Sequence, residues 1–287
     1  MRPTCFIYLL LSLASVHADM MKDTTVKFPE KGALPSKYPP DVTVPKSIQA
    51  GEGWSISENP TRSLEQIRTV QGVMPAGKLP PIPADWTYLP RTHKTLTEGG
   101  KLHILAVGDS IVADTMRSGW VNLVREKYPK AAITAQVSMR GSTGCWFYKD
   151  EDRVAKQLAP LKPDLIFIGG ISQRGDIESI RSVIQQFRAK LPNVEFLLAT
   201  GAFGTADPRV SEELAKAQHT TMNAYGSALK ELAEKKHCAF LDVTTPWAAY
   251  INSTGLHPHA FYRDRVHANA EGEQILAKIF LSFFSQP

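Results

Sequence analysis

Beyond residue 100 the apolar positions follow two rhythms. Short, nearly unbroken apolar runs occur at His103–Val107, Ile133–Val137, Asp164–Ile168, Glu195–Thr200 and Cys238–Val243. Runs of this length without polar alternation are what strands buried on both faces look like. Between them the apolar spacing is helical. Met116, Trp120, Leu123 and Val124 mark one face, and Ile177, Ile180, Ile184, Phe187 and Leu191 mark another. A long polar helix is predicted over 211–236, and a closing helix over Glu273–Phe284. Strands and helices alternating in this way predict an α/β fold: a parallel sheet of about five strands with helices on both faces. In such sheets ligands bind at the carboxyl ends of the strands.

Residues 19–100 read differently. They hold eleven of the 20 prolines, and proline removes a backbone donor and fixes φ, which rules out long regular elements. One short helix is predicted over Leu64–Val70, because Ser63 and Gln66 are spaced as a capping box. Trp54, Trp86 and Tyr88 predict that this extension packs on the main domain; a disordered linker is the competing reading. Ahead of it, Arg2, the apolar stretch Cys5–Ala14 and Val16-His17-Ala18 have the layout of an export signal cleaved after Ala18. The apolar stretch is about half the roughly 20 residues that span a bilayer, so no membrane span is expected. The expected organisation is a signal at 1–18, a proline-rich extension at 19–100 and a catalytic domain at 101–287, in a secreted or periplasmic protein.

Charge and cysteine narrow the picture only a little. The net charge is +5 with no Lys/Arg run, so nucleic acid is not an expected partner. Once Cys5 leaves with the signal, Cys145 and Cys238 remain. They pair, or they are two separate buried thiols; the sequence leaves both open.

The first strand runs into Gly108-Asp109-Ser110. A serine at the carboxyl end of a strand and the amino end of a helix sits where unpaired amides favour negative charge. Given a base, its hydroxyl can attack a carbonyl, and its own N–H can help hold the oxyanion. As an isolated tripeptide, Asp109 or Ser110 would be read as a helix cap. Near the other end, however, lies Asp264-Arg265-Val266-His267. An Asp three residues before a His can place both side chains on one side of a turn, so that the carboxylate orients the imidazole as base.

With both motifs at expected strand ends, the chain resembles the SGNH/GDSL hydrolases over roughly residues 101–287. Gly108-Asp109-Ser110 matches the first block of that family and Asp264-x-x-His267 the fifth, with Gly141 as the second-block glycine. The resemblance implies a flavodoxin-like, three-layer α/β/α sandwich. It also implies a catalytic triad of Ser110, Asp264 and His267, with the Ser110 and Gly141 amides as oxyanion donors. The third block departs from the family: Gly169-Gly170-Ile171-Ser172-Gln173 stands where Gly-x-Asn-Asp is usual, so Ser172 or Gln173 takes the place of the family's Asn.

Trp146 and Arg140 are the candidate substrate-binding residues, since the aromatics after Gly141 can stack on sugar rings. His257-Pro258-His259 lacks a third ligand at a recognisable spacing and reads as a turn, so no metal is expected. No cofactor is expected either. The resulting expectation is a secreted serine esterase that removes small acyl groups, acetyl first among them, from a carbohydrate or small ester. An acetyl xylan esterase is one form of it. The alternatives are an O-acyltransferase on an envelope polysaccharide, a lipase or lysophospholipase, and a non-catalytic carbohydrate-binding protein on the same scaffold.

Overall fold

The computed structural model describes residues 42, 46–51, 53–84, 86–202, 222–264 and 266–285. The stretch expected to be an export signal, the first part of the extension, the start of the helix expected over 211–236, and Arg265 lie outside the described residues.

Among the described residues seven strands form one sheet in the order β1-β2-β4-β3-β5-β6-β7. They are β1 (Ser47–Gly51), β2 (Trp54–Glu58), β3 (Gly100–Gly108), β4 (Ala131–Arg140), β5 (Leu165–Ile168), β6 (Glu195–Ala199) and β7 (Ala239–Leu241). The last five run parallel and match the five apolar runs of the sequence. Their order, 4-3-5-6-7, is the flavodoxin-like arrangement, which reverses direction between β3 and its two neighbours. The expected strand count of about five is therefore corrected to seven. The two additional strands come from the proline-rich extension, where β1 pairs antiparallel with β2, and β2 antiparallel with β4. They escape a search for long apolar runs because each has five residues, and of β2 only Ile56 is fully buried.

Helices cover both faces. On one face α6 (Ile177–Lys190) and α7 (Met222–Lys235) pack on the sheet. Val107, Ile168, Ile180, Ile184, Phe187, Phe196 and Leu229 share that core. On the other face lie α3 (Ser110–Arg117), α4 (Trp120–Lys127) and the closing helix α9 (Ala270–Phe284). Trp120 stacks on Phe284 with centroids 5.1 Å apart, and Phe280 meets Phe167 edge-on at 5.2 Å. Each fully buried aromatic of this kind contributes about 1.5–3 kcal/mol through the apolar surface it removes from water.

Met116 and Trp120 prove to belong to two helices. Gly119 breaks them with a φ of 86°, and a Cβ there would lie 2.5 Å from Ile67 Cδ1, so the extension packs where only glycine leaves room.

The extension is tied down along its described length. Ser63 and Gln66 form the capping box of α1 (Leu64–Val73). The first turn of α2 (Pro90–Glu98) rests on the carboxylate of Glu195, which accepts from the amides of Arg91 and Thr92 at 2.7 and 2.8 Å. Trp86 stacks on His93 at 4.7 Å and lies 6.1 Å from Phe284. Cys145 and Cys238 are separate buried thiols. Among the described residues no helix is long and apolar enough to cross a membrane.

Candidate functional site

The carboxyl ends of β4, β3 and β5 lie side by side, with Gly108 level with Met139 and Val107 with Ile168. Three loops therefore converge around Asp109 and Ser110. Asp109 is the cap of α3. Its Oδ1 accepts from the amides of Ile111 and Val112 at 2.9 and 3.3 Å. Its Oδ2 accepts from the amides of Ile171 and Ser172, both at 2.8 Å. Burial raises its pKa above the ordinary carboxylate value, although the Ser172 hydroxyl and the amides of Ile171, Ser172 and Val112 pull it down. Asp109 thus has a second task beside capping, which is to hold the loop after β5 against the start of α3. Gly170 permits that approach. Its φ is 90°, and a Cβ would fall 2.3 Å from Asp109 Oδ1.

Ser110 is the first residue of α3, so its N–H has no acceptor within the helix. Its Oγ lies 2.8 Å from Nε2 of His267. The other ring nitrogen of His267, Nδ1, lies 2.8 Å from Asp264 Oδ2 and 3.0 Å from Oδ1. Asp264 also builds the turn that makes this possible. Its Oδ1 accepts from the amides of Val266 and His267, both at 2.8 Å, so one carboxylate both folds the loop and faces the ring it folds back. The loop is closed by a bridge between Tyr262 and Ala268 and by Arg263 N–H donating to the His267 carbonyl at 3.0 Å. Partial burial alone would raise the Asp264 pKa. The hydrogen bonds from the His267 ring and from the amides of His267 and Val266 outweigh burial and hold it at about 2. A carboxylate ionised at neutral pH, an imidazole and a hydroxyl thus stand in one hydrogen-bonded line.

The four oxyanion candidates fare differently. Gly141 follows β4 in open space, with no heavy atom within 4 Å of where a Cβ would be. Ser172 turns its amide to Asp109, and its carbonyl accepts from Trp146 Nε1 at 3.1 Å. Gln173 is buried and engaged at both ends of its amide. Its Oε1 accepts from Cys145 N–H and its Nε2 donates to the Gly169 carbonyl, each at 2.9 Å. Gln173 therefore staples the loops after β4 and β5 together, which leaves Ser110 and Gly141 as the candidates with room to donate to a substrate oxygen.

Of the candidate substrate contacts, Trp146 lies against Ser172 on the loop after β5. Arg140 reaches Thr143 Oγ1 at 2.8 Å. The histidines of His257-Pro258-His259 form a turn in which His259 N–H donates to His257 Nδ1 at 3.3 Å. Among the described residues no group of three potential metal-ligating side chains gathers. A hollow of about 640 Å³ lined by Pro80, Pro83, Phe240 and Asp242 contains none of the site residues.

One part of the site, a buried charge network, was not read from the sequence as a unit. Asp114, Arg117, Glu273 and Arg62 are buried together beneath the His267 loop. Asp114 Oδ2 accepts from the Ala268 amide at 3.1 Å, and its Oδ1 meets Arg117 and, at 2.8 Å, Arg263. Glu273 faces Arg117 Nε at 2.7 Å and Arg62 Nε at 3.1 Å. Burial moves the Glu273 carboxyl above its ordinary value, while Arg117 and Arg62 pull it the other way. The network joins the extension (Arg62), α3 (Asp114, Arg117), the His267 loop (Arg263, Ala268) and the closing helix (Glu273). A signal for it existed: Glu273 heads the stripe Leu276, Ala277, Phe280 and Phe284, an apolar face on which a carboxylate needs a buried partner.

Solved structures share this fold. A two-domain esterase (CEX) active on acetylated mannans superposes with a TM-score of 0.54 at 15% identity, over 70% of this chain and 53% of its own. The chain thus spans about half the length of that esterase. A catalytic mutant of Axe2, an acetylxylan esterase from Geobacillus stearothermophilus, gives a TM-score of 0.50 at 20% identity, over 65% of this chain and 95% of its own. A DUF4886 family protein from Bacteroides uniformis gives 0.50 at 12% identity, over 65% and 83%. At these identities the likeness establishes the fold. No curated protein matches the chain in sequence. The family model of the GDSL-like lipases and acylhydrolases matches residues 106–275, more than half of the chain, and takes in the end of β3 with Gly108-Asp109-Ser110, the third-block loop and the His267 loop. The chain belongs to the GDSL-like lipase/acylhydrolase family.

Proposed function

We propose that the protein is an exported serine esterase that removes acetyl groups from a carbohydrate, with Ser110, His267 and Asp264 as its catalytic residues. The observation that carries the proposal is the unbroken line Asp264–His267–Ser110, with both contacts at 2.8 Å. That distance lies within the roughly 2.6–3.2 Å needed for proton transfer. His267 Nε2 takes the proton as Ser110 Oγ attacks the ester carbonyl, and returns it to the leaving sugar oxygen. Asp264 fixes the tautomer and stabilises the imidazolium. The oxyanion forms against the amides of Ser110 and Gly141, each such donor being worth on the order of 10²–10³ in rate. Water, activated by the same imidazole, then releases acetate from acyl-Ser110.

The choice of acetyl on a carbohydrate draws support from the solved relatives, which include an acetylxylan esterase and an esterase active on acetylated mannans. The apolar stretch ahead of Ala18 supports export, with residues 19–100 as the extension that completes the sheet and braces the site. The test is hydrolysis of p-nitrophenyl acetate and release of acetate from acetylated xylan, run beside a folded Ser110→Ala variant. Turnover by the wild type that is lost in the variant is expected. Equal activity of the two proteins would refute the assignment.

A further inference from the structure

Two guanidiniums stand on the loops that border Ser110, and among the described residues neither forms an ion pair. Arg140 is the last residue of β4, one beyond the partner of Gly108. Its guanidinium lies 4.7 Å from the centroid of Phe147. Arg174 sits on the loop after β5. It is exposed, and its guanidinium lies 4.5 Å over the ring of Trp146, whose indole donates to the Ser172 carbonyl.

These positions are fixed. Asp109 holds the Ile171 and Ser172 amides, and Gln173 holds Cys145 N–H, so the two arginine-bearing loops are bolted to the nucleophile and to each other. Arg174 also has a left-handed backbone, with φ 56°, followed by Gly175 at φ 70°. Such a conformation is uncommon for a residue with a Cβ.

A guanidinium stacked on an aromatic face keeps its N–H donors in its own plane, along an edge that matches a carboxylate. Three acids of this region have other partners. Asp109 is filled by amides, Asp176 caps α6 through the Ser179 amide, and Glu151 pairs with Arg153, the other guanidinium on Phe147.

We infer that Arg140 and Arg174 select for negative charge, so that the site takes acylated carbohydrate chains bearing carboxylates, such as uronic acid residues, ahead of neutral ones. This rests on the ester-hydrolase reading and deepens it. The test compares acetylated polygalacturonate, the same polymer with its carboxylates methyl-esterified, and acetylated glucomannan, all at equal acetyl content, with p-nitrophenyl acetate alongside. The wild type is expected to favour the charged polymer by about tenfold or more in kcat/KM, the scale of one charge-assisted hydrogen bond. Methyl-esterification should abolish the preference, and raising the salt from about 0.05 to about 0.5 M should shrink it several-fold, because the contact is exposed. Arg174→Gln and Arg140→Gln should each lower the charged-to-neutral ratio, with Arg174→Lys recovering only part of it. The salt and esterification arms need no variant, so misfolding cannot mask the answer. Equal rates on charged and neutral polymers, with p-nitrophenyl acetate cleaved, would overturn this inference alone. Failure to cleave any ester, p-nitrophenyl acetate included, would overturn the ester-hydrolase reading and this inference with it.

Discussion

Glu273 is the most informative residue to perturb outside the proposed triad. It is 0% exposed, as is Arg62, and Arg117 is 2% exposed. The network contains three guanidiniums (Arg62, Arg117, Arg263) and two carboxylates (Asp114, Glu273), a formal excess of one positive charge. Glu273→Met removes one carboxylate and leaves three buried or half-buried cations facing one anion. Breaking a buried pair in this way costs about 3–5 kcal/mol, because the orphaned charge keeps its desolvation penalty. At roughly 2–4 °C per kcal/mol for a domain of this size, Tm should fall by roughly 6–20 °C. Adding Arg62→Met removes one of the excess cations and restores the original excess of one. Replacement of a whole buried pair by apolar groups is often close to neutral, so the double variant should be more stable than Glu273→Met alone. Thermal unfolding followed by circular dichroism measures both, and kcat on p-nitrophenyl acetate should follow, since Asp114 holds the Ala268 amide beside His267. A single variant within about 1 kcal/mol of wild type, or a double variant that loses the sum of two independent costs, would refute the electrostatic reasoning.

Three further outcomes are expected. Asp264→Asn should lower kcat by about 10³–10⁴ with the fold intact, because the amide can select the wrong tautomer of His267; a loss under tenfold in steady-state assays would contradict the role. The Asp264 pKa, near 2, lies below its unfolded value, so its stabilising contribution is present above roughly pH 4 and is lost as the pH falls through about 2. The stability gap between wild type and Asp264→Asn should accordingly narrow from pH 5 towards pH 2.5 in denaturant titrations, and a widening gap would show the wrong sign. Gly170→Ala places a methyl group 2.3 Å from Asp109 Oδ1 at a φ of 90° and should cost about 1–3 kcal/mol, together with kcat; an unchanged Tm would mean that the loop can give way freely.

The five parallel strands were legible because burial on both faces forces each into an unbroken apolar run. The antiparallel pair was not, because β1 is exposed throughout and β2 presents one buried isoleucine among polar residues. Ser110, Asp264 and His267 could be singled out because the spacing D-x-x-H is itself a local device, a carboxylate capping the turn that returns the imidazole. The third block shows the opposite case. Gln173 looks like a donor in sequence, yet its amide is consumed by Cys145 and Gly169, partners 28 and 4 residues away. The charge network was the least legible part. Arg62 and Glu273 lie 211 residues apart, and nothing local to either reveals the other. Only the misfit of a carboxylate on the apolar stripe of α9 hinted that a buried cation must meet it.

The most direct test of the proposed mechanism is to quench the protein during turnover of p-nitrophenyl acetate and map covalent acetyl groups by peptide mass spectrometry. One acetyl group on Ser110, accumulating in Asp264→Asn and absent from Ser110→Ala, is the expected result. Turnover that leaves Ser110 unmodified under the same quench, or acetyl carried on another residue that tracks the rate, would contradict the acyl-serine mechanism.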